Sequence, residues 1–199
     1  MSKTNGQPPQ ASVQDVIKLG HIVNGDIAPV DYGLVWERQQ TTGPEVLLIA
    51  ASRTGSELML DLAREHIPES FVLYVLLLSR CSTHEPGRYQ SPCPLVFDEL
   101  RDFFKRFGPY FDTDGRHHVW IGSPESPNQL VYDHHNWIYA YGDLDGYIRT
   151  LERLGYSEGV LELSAPHTHN YHAENDAAED AIFEYWEWLH FPMQEQDEY

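Results

Sequence analysis

The stretch HHVWIGSPESPNQLVYDHHNWIYAY, residues 117–141, decides the fold. His117 to Gly122 reads as a strand, Ser123 to Asn128 with its two prolines as a hairpin loop, and Gln129 to Tyr141 as a long second strand. An isolated hairpin is marginal in water, so this one requires further strands and a covering layer. Both are found on either side. Upstream, Tyr32 to Gln39 and Val46 to Ala50 form a second antiparallel pair around the turn Thr41-Thr42-Gly43-Pro44. Phe71 to Leu78 is an unbroken apolar run of eight residues, a buried strand and too short to cross a bilayer, which needs about 20 in helix.

Helices alternate with these strands. After Pro94, the residues Val96, Leu100, Phe103, Phe104 and Phe107 share one helical face, with Gly108-Pro109 as the stop and Asp112 to Gly115 as a turn. Ser56 to His66 is helical by propensity, although Leu58, Leu60 and Leu62 also alternate as a strand would; the expectation is helix. Asp143 or Asp145 caps a helix to Leu154, Gly155 ends it, Gly159 to Ser164 reads as a strand, and a last helix runs from Asn175 to His190. Residues 1–11 read as a polar arm, followed by a short helix capped by Ser12 and Asp15 and reaching Leu19. The expected fold is a single α+β domain over residues 12–199, with a mixed or mostly antiparallel sheet covered by helices on at least one face.

The charge is unbalanced: 31 acids stand against 13 bases, a formal net charge of −18. Such a field repels phosphate backbones and anionic lipid, which weighs against direct nucleic-acid binding and membrane docking, and it attracts basic proteins. Acidity also serves solubility alone. The segment from Leu154 to Tyr199 holds 11 acids and no Lys or Arg. The polar N-terminus has no export signal, so a cytoplasmic location and reduced Cys81 and Cys93 are expected.

Within residues 114–141, alternation across a strand lets Arg116, His118, Asp133 and His135 gather on one face, or the complementary set with His117 and His134 on the other; equally, these groups can be hydrogen-bonded core fillers. His167, His169 and His172, followed by Asp176, offer the nitrogen and oxygen ligands that zinc or another divalent transition metal accepts, though their spacing repeats no zinc signature. On the last helix, Ala178, Ile182, Tyr185, Trp186 and Leu189 form the packing face. Asp180, Glu184 and Glu187 form an acidic stripe flanked by Phe183 and Trp188, the composition of a protein-binding patch. Asp112-x-Asp114-Gly115 and Asp143-x-Asp145-Gly146 lack the distal ligands of a calcium loop and read as turns and caps. Phosphate-binding, dinucleotide, nucleophile-elbow and His-Glu-x-x-His motifs are missing, which weighs against their chemistries.

The stretches Gly87-Arg88-Tyr89-Gln90-Ser91-Pro92, Asp114 to Ile121 and Tyr132 to Gly142 together resemble those of small acidic bacterial proteins of the immunity type. That resemblance, over about Gly87 to Trp188, implies a non-catalytic inhibitor that neutralises a basic cognate toxin by tight binding, without a cofactor and without a residue-level map. The alternative expectation is a metal-dependent hydrolase or other metalloenzyme using His167, His169, His172 and Asp176.

Overall fold

The computed structural model describes residues 17–51 and 54–197. The expected N-terminal arm and the start of the first helix lie outside these residues. At Leu19, where that helix was expected to end, the chain is instead extended as β1 (Leu19–Val23), which pairs with β2 (Asp26–Pro29) through a tight turn at Asn24-Gly25. Both turn residues have positive φ, 54° and 92°, as a two-residue hairpin turn demands.

The main sheet is almost wholly antiparallel. Its strands are β3 (Val35–Gln39), β4 (Val46–Ala50), β5 (Glu69–Leu76), β6 (Gly87–Gln90), β7 (Leu95–Val96), β8 (His117–Gly122), β9 (Gln129–Tyr132), β10 (Trp137–Tyr141), β11 (Ser157–Glu158) and β13 (Leu189–Phe191). The spatial order is β11-β3-β4-β10-β9-β8-β5-β6-β13, with β7 beside the start of β5 and, among the described residues, only β11 running parallel to its neighbour. A second, three-stranded sheet joins β1 and β2 to β12 (His167–His169). With four helices among the described residues, α1 (Gly55–His66), α2 (Phe97–Thr113), α3 (Leu144–Arg153) and α4 (Asp176–Phe183), the fold is α+β, as expected.

Alternation on the strands decides which side chains meet the helices. Ile49, Val72, Tyr74, Val119, Ile121, Leu130, Tyr132 and Ile138 face one side of the sheet and are buried there against Leu58, Met59 and Leu62 of α1, the phenylalanines of α2, and Tyr147 and Leu151 of α3. Each such fully buried side chain contributes roughly 1.5–3 kcal/mol from area removed from water. On the opposite side, Leu48 and Ala50 pack with Leu161, while Trp120, Val131, Tyr139 and Tyr141 line an open cleft.

The structure corrects four expected boundaries. The helix α2 does not stop at Gly108-Pro109; it continues to Thr113 with Pro109 inside it. Proline in a helix interior costs about 3 kcal/mol, but the extra turn buries Tyr110 and Phe111 and sets the Tyr110 hydroxyl 2.8 Å from that of Tyr74, which offsets the loss. Residues 159–164 are not a strand. They cross the open side of the sheet, with Leu161 donating its backbone N–H to Glu37 Oε2 at 3.0 Å.

The last helix ends at Phe183, seven residues early. There the Trp188 indole N–H donates to the Ile182 carbonyl at 2.8 Å, satisfying a helix-end acceptor, and Leu189–Phe191 gives the edge of β6 a partner. The fourth correction concerns the long strand Gln129 to Tyr141. It is two strands, β9 and β10, folded back on each other around Asp133-His134-His135-Asn136.

Candidate metal centre

That hairpin loop is built by its two flanking polar residues. The Asp133 Oδ1 accepts the backbone N–H groups of His135 and Trp137, both at 2.9 Å, and Asn136 takes a left-handed φ of 61° while its side chain accepts from the Tyr132 hydroxyl. Asp and Asn are the residues that tolerate or stabilise such a turn through their own short side chains. Because the chain reverses here, His134 and His135 are no longer on opposite faces of a strand. Both rings turn toward the small sheet, their centroids 4.1 Å apart.

The small sheet brings the third ring. On β12, His167 and His169 lie two residues apart and so project from the same face. The strand is held by its register with β1 and docks on the main sheet where Gly115 donates to the Asn170 carbonyl and Asn170 to the Lys18 carbonyl. A Cβ on residue 115 would come within 3.2 Å of the His169 Cβ, so the approach depends on glycine. His169 then sits with its centroid 4.2 Å from that of His134 and 4.9 Å from that of His135.

One ligating atom each of His134, His135 and His169 lies within 4.8 Å of the others. Zinc–nitrogen bonds of about 2.05 Å in a tetrahedron set such atoms about 3.3 Å apart, so binding requires the rings to close by up to about 1.5 Å. The Nδ1 of every ring is already engaged: His135 with the Asp133 carboxylate at 3.0 Å, His134 with His118 Nε2 at 2.8 Å, and His169 with the His134 carbonyl at 3.3 Å. Acceptors at Nδ1 fix the proton there and leave each Nε2 with its lone pair, the tautomer a metal needs. His134 fits this pattern when its Nδ1 donates to His118.

The electrostatics agree. Burial, reinforced by His118, pushes His134 down to about 2, and burial with the neighbouring His135 pushes His169 down to about 4, so both stay neutral at pH 7. His118 is likewise pushed down to about 4 by burial. For Asp133, burial opposes its charge, yet the hydrogen bond from His135 and the surrounding imidazoles hold it below the usual carboxylate range.

The expected metal set is divided by the structure. His169 is in the cluster and His167 stands beside it, 5.3 Å from His169 and 5.6 Å from His135 by ring centroids. His172 turns away, its Nε2–H donating to the Ile17 carbonyl at 3.0 Å. Asp176 pairs with Arg80 and Arg116. The expected polar cluster is divided too. His118 and Asp133 reach the centre through His134 and His135, whereas buried Arg116 points to Asp114, Asp176 and Glu179 and ties α4 to the start of β8. His117 faces the core among Tyr74, Tyr110 and Phe111, and burial holds it well below its ordinary value.

At the expected protein-binding patch, Asp180 pairs with His84, Phe183 stacks on the same His84 ring at 3.8 Å, and Trp188 is half-buried. Glu184 and Glu187 are exposed. Cys81 and Cys93 are free thiols on the surface, with Cys81 hydrogen-bonded to Asp176. Among the described residues no helix is long and apolar enough to cross a membrane.

Sequence reasoning missed His134 as a partner of His135 and His169. The signal was present in Asp133 and Asn136, two turn-forming residues spaced to close a hairpin between apolar runs. Compared with protein-family models, curated proteins and solved structures, the chain shows no match.

Proposed function

We propose that this protein is a metalloenzyme of the hydrolytic kind, holding one divalent transition metal ion on His134, His135 and His169. The observation that supports it is the convergence of three imidazoles from two sheets, each with its Nδ1 engaged by another group. Hydrogen bonding accounts for buried histidines one at a time; it gives no reason for ligating atoms of three of them to lie within 4.8 Å of one another. All-imidazole ligation suits zinc, cobalt, nickel or copper over magnesium or calcium. An ion held by three uncharged ligands keeps its full charge and a free position, and so serves as a Lewis acid toward water or a carbonyl or phosphoryl oxygen.

The residues of the chain have separate tasks in this reading. Asp133 orients His135, His118 orients His134, and both also line a cleft of about 470 Å³ on the open side of the sheet with Trp120, Val131, Tyr139 and Tyr141. A small substrate seated there would lie against the groups that position the metal ligands.

The test uses the full chain purified without an affinity tag and titrated with Zn(II) and Co(II). One equivalent should bind, Co(II) should give the intense visible bands of a tetrahedral site, and His169→Ala should abolish both while His172→Ala retains them. A wild-type protein without stoichiometric metal, or a folded His169→Ala protein that binds as wild type does, would refute the assignment.

A further inference from the structure

A second site lies at the β6–β13 edge of the main sheet, where α4 gives way to the turn before β13. There a hollow of about 450 Å³ is walled by Phe183, Tyr185, Trp186 and Trp188, with Glu184 and Glu187 at its rim. The rings are held from behind: Trp186 stacks on Phe103 at 4.6 Å and meets Trp188 edge-on at 5.0 Å, and the Trp188 indole is pinned to the Ile182 carbonyl. The walls are thus supported by packing and half-exposed.

The neighbouring acids are already paired, Asp176 with Arg80 and Arg116, Glu179 with Arg116 and Asp180 with His84. Glu184 and Glu187 make no ion pair among the described residues, and the chain has no Lys or Arg from Leu154 onward to supply one. One cation of the protein shows what this aromatic surface accepts. The Arg106 guanidinium lies 5.4 Å over the Tyr185 ring and 5.2 Å over that of Phe107.

From these observations we infer that the hollow receives an arginine side chain from a basic protein segment, its guanidinium against the Trp186 and Trp188 rings and its charge met by Glu184 and Glu187. The faces of indole and phenol rings attract cations, and guanidinium adds planar stacking to that attraction. The two carboxylates supply the planar acceptors that a guanidinium fork matches. The net charge of −18 concentrates basic partners around the protein without choosing among its faces; the hollow makes the choice. This inference is independent of the metal centre, which is three strands away across the sheet.

The probe is a hexa-arginine peptide titrated against the full chain at low ionic strength by tryptophan fluorescence and calorimetry. The pair E184Q/E187Q should weaken binding about tenfold, the size expected for losing two exposed charge contacts on a cation–π site. The pair E152Q/E158Q removes the same charge from exposed positions elsewhere and should change affinity less than about twofold. A citrulline version of the peptide should not bind. Equal weakening by the two pairs, or no binding of hexa-arginine by the wild-type protein, overturns the inference. The result does not depend on bound metal, so a metal-free preparation must give the same ranking.

Discussion

Replacing Asp133 by Asn tests the link between the hairpin loop and the metal ligands most directly. The two oxygens of this buried carboxylate have different duties: Oδ1 accepts the backbone N–H groups of His135 and Trp137, and Oδ2 accepts the Nδ1–H of His135. An asparagine keeps the first oxygen and with it both backbone bonds. In place of the second it puts an NH₂ group, which donates. His135 must then move its proton from Nδ1 to Nε2 to accept that bond, and the nitrogen facing the metal loses its lone pair.

Exchanging a bond to a charged acceptor for a bond from a neutral amide should lower stability by about 1 kcal/mol, measured by urea unfolding of the metal-free protein. Metal affinity should fall by about 10- to 100-fold, equivalent to about 1.4–2.8 kcal/mol, measured by competition with a chromophoric chelator. A folded Asp133→Asn protein with wild-type metal affinity would refute the reasoning.

Two further outcomes follow from packing and from burial of charge. Gly108→Ala should destabilise the protein by up to about 2 kcal/mol in denaturant unfolding, because the added Cβ would meet Ser56 Oγ at 2.8 Å and Ser56 Cβ at 3.2 Å where α2 crosses the start of α1, a cost of about 1–3 kcal/mol against the roughly 0.5–1 kcal/mol that alanine gains over glycine within a helix; a stabilised variant would show that Ser56 moves aside freely. Lys18 is fully buried, donates to the Phe111 carbonyl, and is pushed down by burial to about 8 against the opposing pull of Asp133, Asp112 and Asp114. Between that value and its ordinary 10.5 the unfolded chain holds a proton that the folded chain has released, so this group makes stability rise with pH, by at most about 1.4 kcal/mol per unit. Urea unfolding from about pH 7 to pH 10 should show the rise in wild type and not in Lys18→Met, with the buried tyrosines reversing it at higher pH.

The legible parts of the sequence were those in which local pattern and tertiary need agree. β4 and β8 begin and end where alternation and apolar runs place them, and α1 matches its expected span to within one residue. Local signals misled where another part of the chain outweighed them. Pro109 reads as a helix stop, but burial of Tyr110 and Phe111 carries the helix past it. The 100° projection of the C-terminal segment reads as one long helix, but the indole of Trp188 and the open edge of β6 end it after Phe183.

What the sequence determined by itself is the class of the fold and the acidity of the C-terminal region, because composition and the periods of strands and helices are local properties. Only the tertiary structure decided which histidines meet. His134 and His135 share a site because Asp133 and Asn136 reverse the chain, and His169 joins them because the small sheet docks at Gly115. His172, three residues further on, is drawn instead to the Ile17 carbonyl. Convergence of side chains across 35 residues depends on how two sheets pack, which no spacing along the chain expresses.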